Sequence, residues 1–224
     1  MTVLYEDNHI IVVNKSSSEI VQGDRTGDTP LSETLKSYLK EKYNKPGNVF
    51  VGVTHRLDRP VSGIVVFAKT SKALSRLNEM FKNGEVKKSY WAIVKNKPSE
   101  HEGLLTHYLV RNEKQNKSYA YDKEVPNSKK AVLAYKLIAH SQNYYLLEVD
   151  LKTGRHHQIR CQLAKMGCPI KGDLKYGSPR SNPDGSICLH ARNISFVHPV
   201  SKELIELEAP VPAGNLWAGF VYAD

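Results

Sequence analysis

The chain has 224 residues, 40% of them hydrophobic, and a formal net charge of +9, which is enough apolar material for one large domain or two small ones. No apolar run nears the roughly 18 residues of a membrane span, and the N-terminus lacks the basic-then-apolar order of a secretory signal. Three cysteines, Cys161, Cys168 and Cys188, show no C-x-x-C spacing, so they point to neither a disulfide framework nor a zinc site, and a reducing cytoplasm is the expected setting.

The charge is uneven. Residues 1–50 carry 6 Lys/Arg against 7 Asp/Glu, and residues 51–224 carry 26 against 16. The excess beyond residue 50 suits either a solvated lysine-rich surface or a face that meets polyphosphate.

Residues 3–5 and 9–14 read as two short strands around a turn at Glu6-Asp7-Asn8, and 15–28 as loop. Thr29 supplies a capping hydroxyl before Pro30, which opens a helix carrying Leu31, Leu35, Tyr38, Leu39 and Tyr43 on one face. Asn44-Lys45-Pro46-Gly47 ends it. Residues 49–53 and 64–68 are short, β-branched runs bounded by Gly or Pro, and read as buried strands. Between them lies His55-Arg56-Leu57-Asp58, so Asp58 is expected on a loop at the mouth of a sheet, with Pro60 fixing the exit and Gly63 permitting a tight turn. Thr70-Ser71 caps a second helix with the stripe Leu74, Leu77 and Phe81, and Gly84 suits its end.

Residues 89–94 form a third strand. Residues 95–130 are polar and turn-rich, with weak strands near 104–109 and 118–122. They read as a flexible insertion over a site, made basic by Lys114, Lys117, Lys123, Lys129 and Lys130. Strands follow at 131–139 and 144–151, the second alternating Tyr145, Leu147, Val149 and Leu151 with polar neighbours. A helix is expected from Gly154 to Met166, with Ile159, Leu163 and Met166 inward and Gly167 ending it. Residues 188–196 and 204–208 return to strand. Strands outnumber helices, so the expected class is α+β, a mixed and mainly antiparallel sheet with flanking helices, in a single domain over residues 1–224.

Four constellations carry possible chemistry. Asp58 beside Arg56 and Arg59 is either a loop-pinning acid or a reactive one. The kinase catalytic loop is excluded, because Leu57 separates Arg from Asp and no Gly-rich phosphate loop occurs. Gly154-Arg155-His156-His157-Gln158-Ile159-Arg160 crowds basic groups at a helix start, where anions are favoured. Adjacent histidines invite a metal reading, but they diverge by ~100° around a helix and no third ligand sits at metal spacing. Lys87-Lys88-Ser89-Tyr90-Trp91-Ala92 places an aromatic beside lysines, which suits either core packing or stacking on an unpaired base. Leu189-His190-Ala191 and Phe196-Val197-His198-Pro199 are alone a strand and a turn.

In this order the pieces resemble the pseudouridine synthases of the RluA type. The matching residues are His55-Arg56-Leu57-Asp58-x-x-x-Ser62-Gly63, Lys88-Ser89-Tyr90-Trp91-Ala92 and Gly154-Arg155-x-His157-Gln158-Ile159-Arg160. Then come Gly167-x-Pro169-Ile170-x-Gly172-Asp173-x-x-Tyr176-Gly177, Leu189-His190-Ala191, His198-Pro199 and Ala209-Pro210-x-Pro212. The resemblance covers nearly the whole chain. It departs at Val61, where Thr is usual, and at His156, where Thr or Ser is usual.

The resemblance implies conversion of uridine to its C-glycoside isomer within structured RNA, ribosomal or transfer, in a central RNA-binding cleft and without cofactor or metal. It implies Asp58 as the catalytic acid, Tyr90 as the tyrosine stacking on the target base, and Arg160 as the basic residue that pairs with the aspartate. Arg56 corresponds to the arginine that enters the RNA stack, and Leu189 to the apolar residue lining the base pocket. His55, Arg155 and His157 are expected to contact RNA. The pattern begins almost at Met1, so no N-terminal RNA-binding extension is expected. A monomer with no obligatory protein partner and no membrane is the expected state.

Overall fold

The run Ile10-Ile11-Val12-Val13 is apolar without alternation, the mark of a strand buried on both faces. In the computed structural model, which describes residues 1–24 and 26–221, it opens strand β2 (Ile10–Lys15), flanked by β1 (Thr2–Glu6) and β4 (Ser62–Ala68). The chain divides into two compact units, Met1–Lys87 with Arg192–Pro210, and Lys88–Ala191 with Val211–Asp224.

In the first unit β2 pairs antiparallel with β4 from Ile10↔Ala68 to Lys15↔Gly63. The expected strand at 49–53 shrinks to β3 (Gly52–Val53), which joins β4 at Gly52↔Ala68. Its approach is close: a Cβ on Gly52 would stand 2.8 Å from Leu74 Cδ2. Phe50, just before it, is exposed. Strand β10 (Leu189–Val197) continues the order after β4, and β11 (Leu204–Glu208) pairs with β10 from Asn193↔Glu208 to Val197↔Leu204.

Helix α1 (Leu31–Lys42) buries Leu31, Leu35 and Leu39, while Tyr43 beyond its end is exposed. Helix α2 (Ser71–Asn83) buries Ala73 and Leu77 in one core with Ile10, Val12, Val66 and Phe196. The ends of α2 are as expected: the Thr70 hydroxyl accepts from the Ala73 N–H at 3.1 Å, and Gly84 takes the left-handed φ of 73° that glycine alone adopts without strain. The start of α1 is not. Pro30 occupies the cap position, and the N–H groups of Leu31 and Ser32 donate to the carbonyls of Ile20 and Val21 at 2.7 and 3.3 Å. A passing loop satisfies the orphan donors that the Thr29 side chain was expected to meet.

The second unit is built on the strand order β5 (Lys87–Val94), β9 (Tyr145–Leu151), β8 (Lys129–His140), β6 (Glu102–Asn112) and β7 (Lys117–Tyr121), every pair antiparallel. Here the expected strands near 104–109 and 118–122 are present, and only the reading of residues 95–130 as a flexible insertion is corrected. The segment supplies an 11-residue strand, β6, paired with β8 from Glu102↔Lys136 to Leu109↔Lys129 and with β7 from Tyr108↔Tyr121 to Asn112↔Lys117. Its mixed composition is a half-buried alternation: Leu109 packs with Ala131, Cys161 and Tyr176 on one face while Leu104 and Thr106 stand exposed on the other.

Helix α3 (Gln158–Lys165) begins four residues later than expected, because His157 takes a left-handed φ of 52° just before it. The Gln158 side-chain oxygen accepts the Arg155 N–H at 2.9 Å and the Thr153 hydroxyl at 2.8 Å, which ties the turn together. A 3₁₀ turn at Leu174–Tyr176 and a final helix α4 (Asn215–Val221) were not foreseen. Among the described residues no helix is long and apolar enough to cross a membrane.

Leu77→Ala, at a fully buried position, should lower stability by about 2–5 kcal/mol. Thr70→Ala, which removes only the cap, should lower it by about 1 kcal/mol. Urea-unfolding midpoints of the two variants would check both the size and the order.

Candidate active site

In the first unit Asp58 lies on the connection between β3 and β4, which is held both by bonds to β4 and by bonds from the segment around residues 15–28. The Thr54 hydroxyl donates to the Val66 carbonyl at 2.6 Å, and His55 Nε2 accepts the Val66 N–H at 3.0 Å. The His55 ring packs on Phe81 with centroids 4.6 Å apart. Leu57 is buried, and the Val61 N–H closes a turn on the Asp58 carbonyl at 3.0 Å. Arg59 reaches Asp28 at 2.6 Å, so it braces the loop rather than the carboxylate. Asp58 is left half-buried and Arg56 exposed.

Behind this turn sits a residue that sequence reasoning missed. Lys15, at the end of β2, is 1% exposed. Its ammonium donates to the carbonyls of Ser16, Glu19 and Arg59 at 2.9, 2.8 and 3.2 Å. Burial pushes it down to about 8, and the Glu19 and Asp58 carboxylates pull the other way. The only signal in the sequence was a lysine closing a run of buried strand residues.

In the second unit the buried guanidinium of Arg160, in the first turn of α3, organises its surroundings. Its Nε and Nη2 donate to the two Asp173 carboxylate oxygens at 2.7 and 2.9 Å, a bidentate pair with both side chains almost fully buried. Its Nη1 stands 3.1 Å from His157 Nε2. A guanidinium only donates, so Nε2 accepts, and Nδ1 carries the ring proton toward Tyr176 Oη at 2.9 Å. The Tyr176 oxygen also accepts the Ser118 N–H at 2.8 Å, and burial pushes its phenol well above the usual range. The Arg160 guanidinium stands 5.1 Å from the Tyr176 ring centroid. Asp173 is positioned by Gly172, at φ 89°, where a Cβ would stand 2.7 Å from the Ser186 carbonyl. The stretch Gly172-Asp173-x-x-Tyr176-Gly177 marked these residues in the sequence without revealing what they do.

Of the other expected residues, Tyr90 is buried on β5 opposite Val149, and Leu189 is buried at the start of β10. Burial also lowers the Lys88 ammonium from its ordinary range. Arg155 is exposed, its Nε donating to the Lys130 carbonyl at 3.0 Å, apart from the His157–Arg160 cluster. The His156 ring stacks on His157 at 3.8 Å, with its Nδ1 2.9 Å from Ser118 Oγ. Among the described residues no group of three or more His, Cys, Asp or Glu is placed to hold a metal. The structure thus brings His157 and Arg160 together in one unit, and sets His55, Arg56 and Asp58 on one loop of the other.

A family model described as RNA pseudouridylate synthase matches residues 9–165. The chain belongs to this family, in its RluA branch. An uncharacterized RNA pseudouridine synthase of Synechocystis sp. is 34% identical over 217 residues, covering 95% of this chain and 66% of that protein. The ribosomal large subunit pseudouridine synthase C of Rickettsia typhi is 34% identical over 212 residues, 94% of this chain and 68% of that one. The chain therefore spans about two thirds of the length of these relatives. Human RNA pseudouridylate synthase domain containing 4 shares the fold, with a TM-score of 0.78 at 23% identity over 94% of this chain and 88% of that one. The α+β class with a mainly antiparallel sheet is thereby established for this synthase-family chain.

Two outcomes follow for the buried charges. Asp173→Ala removes the bidentate partner of the Arg160 guanidinium and should destabilise the protein by about 3–5 kcal/mol, whereas the apolar pair Arg160→Met with Asp173→Leu should recover most of that loss in urea unfolding. For Lys15, the folded value near 8 lies below the unfolded one near 10.4, so the unfolded chain binds more protons between them. Stability relative to Lys15→Met should therefore rise as pH climbs from about 8 to 10, as read from paired denaturation curves.

Proposed function

We propose that this chain isomerises specific uridines to pseudouridine in structured RNA, ribosomal or transfer RNA, in the cytoplasm. Residues 1–224 act as one catalytic domain, as a monomer, with no cofactor and no obligatory protein partner. The observation that carries the reading is Asp58 itself: the family's reactive acid stands half-buried on a loop pinned to β4 by Thr54 and His55. Reactive carboxylates work from such positions, rigidly supported but reachable.

A uracil stacked inside RNA is out of reach, and extruding it costs a few kcal/mol. Arg56, exposed on the same loop, suits the role of filling the vacated stack. Tyr90 and Leu189 present the aromatic and apolar surfaces that receive a base, with Arg155, His157 and His55 supporting RNA contact. Asp58 starts cleavage of the glycosidic bond in its ionised form, and Arg160 takes the part of the family's basic residue. The Asp173 carboxylate and His157 ring hold Arg160 in one geometry, so the cation is in place before substrate arrives.

Asp58→Asn should abolish pseudouridine formation, by ~10³-fold or more, while RNA affinity stays within about threefold of wild type. Pseudouridine mapping of RNA from cells with and without the gene, followed by single-turnover assay on the mapped RNA, gives both readings. Turnover retained in that variant would remove Asp58 from the chemistry.

A further inference from the structure

Strand β7 is the last in the order of the second unit, and it exposes aromatic rings. Tyr119 and Tyr121 are 38% and 42% exposed. Strand alternation puts Lys117, Tyr119 and Tyr121 on one face. Across β6 their partners are Asn112, Val110 and Tyr108, and across β8 the partner of Tyr108 is Lys130. Leu104 lies farther along the same face of β6 and is 64% exposed. The opposite face is the packed one, where Leu109 and Ala131 meet Cys161 and Tyr176. Three tyrosines therefore stand side by side on the outer face of a sheet edge. Natural edge strands seldom leave such surface unless something covers it.

Charge favours a polyanionic cover. Residues 111–130 hold 6 Lys/Arg against 3 Asp/Glu. The Lys117 ammonium lies at the sheet edge, 5.4 Å from the Tyr119 ring centroid and 5.3 Å from that of Tyr176 on the packed face, and Lys130 sits beside Tyr108, with Arg155 Nε bonded to the Lys130 carbonyl. Asp122 turns to the packed face, where it pairs with Lys165 at 3.1 Å. Of the carboxylates on the outer face, Glu148 and Asp150 belong to β9, on the far side of β8, and Glu102 stands at the start of β6, opposite Lys136 and six residues from Tyr108. A sheet face of aromatics edged by lysines stacks unpaired bases and ties their phosphates.

The geometry points to a second RNA contact: the outer face of β6, β7 and β8 binds unpaired nucleotides that flank the target uridine, bases on Tyr119 and Tyr121, phosphates on Lys117 and Lys130. The identity of the ligand rests on the proposed RNA substrate, but the contact is measured without turnover, so loss of one reading leaves the other standing.

The test uses the full chain and a fluorescent single-stranded oligouridylate. Tyr119→Ala with Tyr121→Ala should weaken binding about tenfold or more, and Tyr119→Phe with Tyr121→Phe should keep it. Lys117→Ala with Lys130→Ala should flatten the dependence of affinity on salt, a readout that stands even where the alanine pair of tyrosine variants does not fold. Unchanged affinity in the folded Tyr→Ala protein, equal loss in the Tyr→Phe protein, or an unchanged salt slope would each overturn the assignment. A shift in sedimentation with RNA affinity intact would overturn it too, in favour of an interface between copies of this chain.

Discussion

A guanidinium cannot shed its charge when it is buried, and that constraint shapes the second unit around Arg160. Removing such a group from water costs several kcal/mol unless it is paired and its remaining donors are met. Asp173 meets two of them, at 2.7 and 2.9 Å, and His157 stands 3.1 Å from a third. Each partner in turn imposes its own geometry. Asp173 needs the turn that only glycine at 172 allows, and His157 needs a left-handed backbone just before α3. Tyr176 completes the set by accepting from Ser118 and facing the imidazole. The local irregularities of this region follow from one buried charge.

Lys15 shows the softer version of the same problem. An ammonium can lose its proton, and here it is held by three carbonyls while burial pushes it down to about 8. One of those carbonyls belongs to Arg59, next to Asp58, so the lysine braces the turn from behind. In both units a buried cation stiffens the backbone that carries a candidate site residue. Pre-set geometry of this kind is what transition-state stabilisation by fixed charges requires.

Much of this was legible from short-range chemistry. The Thr70 cap, the Gly84 stop and the strand at 9–14 each depend on neighbours a few residues away, and the structure has all three. The Asp58 loop was placed for the same reason, between two apolar runs. The misreadings share a cause. The start of α1 was assigned to Thr29, but carbonyls of Ile20 and Val21 do the capping. The start of α3 was set at Gly154, but the demands of Arg160 and Tyr176 on His157 delay it. Residues 95–130 looked like an insertion because β6 carries His107, Thr106 and Glu102 among its leucines, and its partner β8 lies beyond the β7 hairpin.

The sequence by itself determined the class of fold and the family, and it marked the candidate positions, because apolar periodicity, caps and an ordered set of motifs are properties of the linear chain. Tertiary structure alone decided which charges are buried and what satisfies them. Lys15 is an ordinary lysine until Ser16, Glu19 and Arg59 surround it, and Asp173 is one acid of a turn until Arg160 arrives from α3. Burial is a property of the packed whole, and the energy of a charge depends on burial more than on anything its neighbours in sequence can specify.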